Sequence, residues 1–157
     1  MSRIERLLLA TALGYVVTGS FLQRWVPMTR WKHLLGSPRQ VSPAERATII
    51  TATTSSSESQ VAKAIGRASS VLPWTVTCLA QAFGGQRLLE RFGHPSAVVI
   101  GVKPGDSERW PSHAWLVSEG KVITGAEGGR GYSPVSAFGS DEDEGRGNPR
   151  PGSGKDK

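Results

Sequence analysis

Leu72-Pro73-Trp74-Thr75-Val76-Thr77-Cys78-Leu79-Ala80-Gln81-Ala82 contains the one cysteine of this 157-residue chain. Pro73 and the Thr75/Thr77 pair are helix-entry residues, so Cys78 is expected in the first turn of a helix. A sulfur there lies at the positive end of the helix dipole, which favours negative charge on it and hence nucleophilicity. Downstream, Ser112-His113-Ala114-Trp115-Leu116-Val117 reads as a strand opening on a histidine. A thiol at a helix opening and an imidazole at a strand opening are the parts of a cysteine-nucleophile enzyme.

The text after Cys78 predicts a helix over about residues 74–92. Leu79, Ala82, Phe83, Leu88, Leu89 and Phe92 form its apolar face, and Gly93 is a natural C-cap. Gly84-Gly85 costs about 1 kcal/mol per glycine relative to alanine, which implies close backbone packing or a bend. The period then changes. Residues 96–102 read as a buried strand, 103–111 as a polar loop, 112–117 as a second strand and 121–125 as a third, with Ser118-Glu119-Gly120 turning between the last two. A short closing segment covers 132–138. From Gly139 onward the composition is that of a disordered tail.

Upstream, residues 60–70 form a short amphipathic helix with Val61, Ala64, Ile65 and Ala68 at 3–4 spacing, broken by Leu72-Pro73. Ser42-Pro43 with Glu45 reads as a helix entry and residues 51–57 as a loop. Residues 4–22 are apolar after Arg3 and Arg6, and three readings compete. A signal peptide is one. A transmembrane span is another, although the uncharged run from Leu7 to Leu22 holds Gly, Thr and Ser and falls short of the roughly 20 residues a bilayer needs. The reading adopted is a helix buried against the domain or lying on a membrane surface, since Trp25, Trp31 and several basic residues follow. The organisation expected is therefore an apolar helical segment over 1–35, one domain over 36–138 and a tail over 139–157.

Formal net charge is +6. The tail has five acids and four bases, so residues 1–138 carry +7. A basic body suits an acidic peptide or a lipid surface, or is simply a solvated face. No basic helix interleaved with aromatics, helix-turn-helix or RNP pattern is present, so no nucleic-acid partner is expected. One cysteine excludes an intramolecular disulfide. His33, His94 and His113 lie too far apart in sequence for structural zinc spacing, so no metal site is expected. A free thiol fits a reducing cytoplasm, with peripheral membrane contact through the first helix as the open addition.

The order helix with Cys, strand with His, return strand defines an α+β fold: helices packed on a small antiparallel sheet, as in papain-like and transglutaminase-like enzymes. His113 would hold the thiolate as an ion pair and later protonate a leaving amine. The alternatives are a buried hydrophobic cysteine and a satisfied strand histidine. Gln81, one turn past Cys78, either donates to an oxyanion or caps a polar edge. The Cys78 backbone N–H is the more general oxyanion donor. Trp74 and Trp115 either wall the substrate cleft or pack in the core. His94 is assigned no chemistry.

Leu72-Pro73-Trp74, Cys78-Leu79-Ala80-Gln81-Ala82, Gly93-His94-Pro95-Ser96, Ile100-Gly101-Val102, His113-Ala114-Trp115, Tyr132-Ser133-Pro134 and Phe138 occur in that order. The set resembles the lasso-peptide biosynthesis B2 proteins, the leader peptidases of the transglutaminase-like superfamily, over about residues 4–138. The resemblance implies a Cys-His-Asp peptidase that cuts the leader from a ribosomal precursor peptide and needs no cofactor. Its implied partners are that precursor, a separate small leader-recognition protein of the B1 type and an ATP-dependent macrolactam cyclase. Carried over, Cys78 is the nucleophile and His113 the general base and acid.

The family's Asp stands about a dozen residues past the His, where this chain has Gly125. Hairpin register frames the third member. With Glu119 at the apex, Val117 pairs with Lys121, His113 faces Gly125, and Glu127 shares the face of His113. With a two-residue loop, His113 faces Ala126 and Thr124 is its diagonal neighbour. Glu127 is preferred, because a carboxylate stabilises imidazolium where a hydroxyl does little. Its alternative is a solvated loop acid. Beside the peptidase stand two other classes: an acyltransferase using the same Cys-His pair, and a non-catalytic module that binds precursor or membrane.

Overall fold

The fold is that of a computed structural model, which describes residues 1–41, 56–105, 111–126, 128 and 131–139. The helix entry at Ser42-Pro43, most of the loop expected over 51–57, Glu127 and the tail beyond Gly139 lie outside the described residues.

Helix α1 (Arg3–Trp25) opens on a capping box. The Glu5 N–H donates to Ser2 Oγ and the Ser2 N–H donates to Glu5 Oε2, at 3.2 and 2.6 Å. The Ser2 amide, then its hydroxyl, holds the Glu5 carboxyl below its ordinary range. The helix stops at Val26, which is extended, as a residue before proline prefers. By length and composition α1 could cross a membrane. Yet Ala12, Val16 and Gly19, at 4 and 3 spacing, are fully buried against the rest of the chain. A short helix α2 (Met28–Trp31) and a 3-10 turn (Lys32–Leu35) then lead to the two-residue strand β1 (Pro38–Arg39). That strand was not expected from the sequence.

Helix α3 (Ser56–Val71) begins earlier than its apolar spacing indicates. Its N-terminal end is held by a pair between buried Glu58 and Lys121 Nζ at 3.3 Å, so a tertiary contact extends it. Helix α4 (Cys78–Arg91) starts four residues later than composition suggests. Thr77 is the reason: its hydroxyl accepts from the Ala80 N–H and sets the first turn. The other end closes at Gly93, with φ +73°. The Gly93 N–H donates to Glu90 O and the His94 N–H to Leu89 O, the paired bonds of a Schellman cap.

Strands β2 (Ala97–Val102), β3 (Ser112–Ser118), β4 (Lys121–Thr124) and β5 (Ser133–Gly139) join β1 in an antiparallel sheet. The order among the described residues is β1-β5-β2-β3-β4. The α+β class and the helix-on-sheet layering expected from the sequence are what the chain adopts. Val98, Ala114 and Leu116 face the helices. Val99, Trp115, Val117, Val122 and Ala137 form a second, smaller core on the opposite face.

The glycine pair of α4 marks close packing, not a bend. A Cβ on Gly84 would lie 3.0 Å from Val16 of α1, and one on Gly85 would lie 2.6 Å from Leu116 of β3. Gly19 meets Phe83 and Ala80 in the same way, at 3.0 and 3.2 Å. Small residues on both helices thus bring α1, α4 and the sheet together and fix where α4 begins relative to β3. Immediately after this pair, buried Gln86 donates from Nε2 to Leu35 O at 2.8 Å and to Phe138 O at 3.2 Å. This amide ties the 3-10 turn and β5 to α4. Replacing Gln86 with alanine strands two carbonyls and opens a cavity, and is expected to cost about 2–4 kcal/mol. A urea titration checks this: the midpoint falls while the slope is unchanged.

Candidate active site

Because Thr77 caps α4, Cys78 is its first residue, half-buried at the sheet. Its backbone N–H belongs to the first turn, where amides have no intrahelical acceptor. The sulfur meets β3 where that strand has lost a neighbour. Strand β4 pairs with β3 only at residues 116–118, so the start of β3 is open on that side. The Ala114 N–H points into this opening and donates to Cys78 Sγ at 3.4 Å. Sulfur therefore lies against the peptide group that joins His113 to Ala114.

His113 opens β3 and is half-exposed. Its Nε2 lies 2.8 Å from Gly125 O. A carbonyl only accepts, so Nε2 carries the proton, and in the neutral ring Nδ1 holds the free lone pair. Among the described residues no hydrogen bond joins the ring to Sγ; such pairs commonly tighten only when substrate is bound. The ring sits between Trp115, centroids 6.0 Å apart at 27°, and Tyr132, 5.5 Å away at 43°. Gly128 closes the nest. A Cβ there would stand 2.6 Å from His113 Cε1 and 3.0 Å from Nε2.

Register explains how Gly125 reaches the ring. The turn is the two-residue form: Ser118 pairs with Lys121, and Glu119 and Gly120 have φ of 47° and 75°. A bulge follows, and Leu116 pairs with Thr124. Gly125, at φ +85°, then turns the chain over β3, where a Cβ would come within 2.8 Å of Ala114 O. Only glycine fits this approach. At the position where the resemblance puts a carboxylate, the acceptor for His113 is a backbone carbonyl.

The bulge also corrects the alternative third member. Thr124 is not beside His113. It is buried on the helix side of the sheet, its Cγ2 3.7 Å from where a Gly85 Cβ would stand. Glu127 lies outside the described residues.

The other sequence-predicted residues divide. Trp74 is 46% exposed and lines a groove beside Cys78. Gln81 is half-buried, and its Nε2 donates to Val76 O at 3.4 Å, which holds the segment leading into Cys78. Trp115 is a correction: it does not wall a cleft. It is 1% exposed in the second core, with its ring over Gly101, where a Cβ would clash at 2.5 Å. Its contribution is the face it offers to the His113 ring. Sequence reasoning did not single out the Gly125 carbonyl, Gly128 or Tyr132 as neighbours of that ring. The Gly128-Gly129 run after β4 was the available signal, since glycine there leaves room for a ring.

Gly128→Ala tests the nest. Displacing the ring by about 1 Å is expected to lower kcat about 10- to 100-fold, with KM nearly unchanged, because a Cβ on Gly128 would press on the histidine ring. Steady-state kinetics separates the two parameters.

Among the described residues no cluster of three or more His, Cys, Asp or Glu side chains is disposed to hold a metal ion. The chemistry available is that of a cysteine sulfur, an imidazole and helix-start amide donors, which serves acyl transfer to water or to an amine. A family model described as the transglutaminase-like superfamily matches residues 12–137, from the middle of α1 to the end of β5. Comparison with curated proteins and with solved structures gives no match. That superfamily includes cysteine peptidases and acyltransferases. Since the match runs over most of the sequence and takes in both Cys78 and His113, the chain belongs to the transglutaminase-like superfamily.

Proposed function

We propose that this protein is a thiol peptidase that removes the leader from a ribosomally made lasso precursor peptide. The observation that carries the reading is the position of Cys78 Sγ against the His113–Ala114 peptide, with the His113 ring anchored to Gly125 O. The sulfur attacks the scissile carbonyl while its proton resides on His113 Nδ1. The oxyanion is stabilised by the Cys78 backbone N–H. His113 passes the proton to the leaving amine, the C–N bond breaks, and a thioester remains. Water, deprotonated by the same nitrogen, then attacks the thioester and releases the leader as a carboxylate.

The precursor, a small leader-recognition protein that delivers it and an ATP-dependent macrolactam cyclase that uses the new N-terminus are the proposed partners. The test pairs the purified chain with a short precursor encoded in a neighbouring reading frame, with and without the small recognition protein, and reads product masses. Two fragments whose summed mass exceeds the precursor by one water support hydrolysis. A linked product without net cleavage favours acyl transfer to an amine. Precursor binding with neither product favours the non-catalytic module.

A further inference from the structure

A groove of about 720 Å³ runs between the second half of α1 and the extended segment that leads into Cys78. Phe21, Trp25 and Trp74 line it and are 58%, 69% and 46% exposed. Three large exposed rings on one groove are more than scattered surface apolarity, and such patches mark binding sites. The groove is prebuilt: the Thr77 hydroxyl donates to the Gln23 side-chain carbonyl across it while capping α4 through Ala80. It is also continuous with the nucleophile, because Thr77 lines it and Cys78 is the next residue. Trp74 precedes Cys78 by four residues, so an extended peptide with its scissile bond at the sulfur reaches the groove within about four residues. Among the described residues one charged side chain lines it, Arg24, and no acid does.

We propose that this groove is the specificity subsite of the enzyme. It takes a large apolar, preferably aromatic, side chain of the peptide substrate lying within about four residues of the cut, while Arg24 pairs with an acidic neighbour of that side chain. The proposal rests on the reading of Cys78 as the nucleophile, and it adds the substrate class. The aromatic rings exclude water from the bound side chain. Arg24 supplies the sign preference, in keeping with the basic body of the chain.

The probes are fluorescein-labelled nonapeptides of Gly and Ser with a central Glu-Trp, Lys-Trp, Ser-Trp or Ser-Ala pair. Binding to the Cys78→Ala chain is read by fluorescence polarisation, so it is independent of turnover. The Glu-Trp peptide is expected to bind at least about tenfold more tightly than the Ser-Ala peptide. Phe21→Ser/Trp25→Ser should abolish that preference, and Arg24→Glu should invert the order of Glu-Trp and Lys-Trp. In the unmodified chain the Glu-Trp peptide should slow iodoacetamide labelling of Cys78, the one alkylatable thiol, which links groove to sulfur.

Equal binding of all four peptides by the Cys78→Ala chain overturns the proposal without reference to the other variants. So does a preference that survives loss of both rings. Binding to 3:1 phosphatidylcholine/phosphatidylglycerol vesicles that depends on Phe21 and Trp25, without peptide preference, overturns it in favour of a lipid-docking face. Selective binding and protection with no cleavage of any peptide by the unmodified chain leaves the subsite standing and counts against the peptidase reading alone.

Discussion

Under the proposed peptidase reading, Cys78→Ala is expected to abolish cleavage, with kcat/KM falling by at least about 10⁴-fold, because a covalent route loses its nucleophile and only binding and oxyanion donors remain. The fold survives the change. Cys78 is half-buried at a helix start, Thr77 still caps α4, and alanine is a good helix residue. The expected change in stability is under about 1 kcal/mol. Cys78→Ser makes the sharper comparison, since the hydroxyl keeps the acceptor for the Ala114 N–H. A loss as large as that of alanine assigns the effect to sulfur nucleophilicity rather than to packing. Mass spectrometry of the peptide product over time measures both variants, and full activity in either one removes thiol catalysis from consideration.

The second large effect is at His113. His113→Ala is expected to lower kcat/KM about 10³-fold, within the range for loss of a general acid–base. His113→Gln keeps an N–H donor toward Gly125 O and fills most of the space between Trp115 and Tyr132. It should therefore fold as well as the unmodified chain and remain as inactive as the alanine variant. Iodoacetamide labelling of Cys78 adds a readout that needs no substrate. If His113 holds the thiolate, alkylation slows in both variants. Unchanged labelling together with unchanged cleavage would make His113 a structural strand residue.

Much of this was legible in the sequence because the signals are local. Thr77 followed by an apolar helix face places Cys78 near a helix start whatever surrounds it. Leu72-Pro73 ends the preceding helix, and Gly93 ends the next. The change of period after Pro95 to strand-like runs, with Ser118-Glu119-Gly120 turning between two of them, announces a hairpin. The Gly84-Gly85 pair was legible as a constraint, although not which partners impose it.

Other features were not, because they depend on contacts between distant segments. The two-residue strand β1 exists through its pairing with β5, at Pro38–Phe138 and Arg39–Ala137. The early start of α3 goes with the buried Glu58–Lys121 pair. The sequence leaves Trp115 as cleft wall or core residue, and Gly101 on the neighbouring strand decides it by leaving room for the ring. The bulge between β3 and β4 has no marker in its own residues, yet it turns Thr124 toward α4 and away from His113.

The order of chemistry-bearing residues, the helix dipole at Cys78 and the α+β class follow from the sequence alone, since capping, periodicity and turn conformation are properties of neighbouring residues. What orients the imidazole came only from the tertiary structure. A backbone carbonyl has no side-chain identity to read, so the Gly125 acceptor becomes visible only once the bulge, the left-handed Gly125 and the close approach to β3 are all in place. The groove beside Cys78 is of the same kind. Its two walls, around residues 21–25 and 74–77, are brought together by the small-residue contact between α1 and α4, which packing decides and local pattern does not.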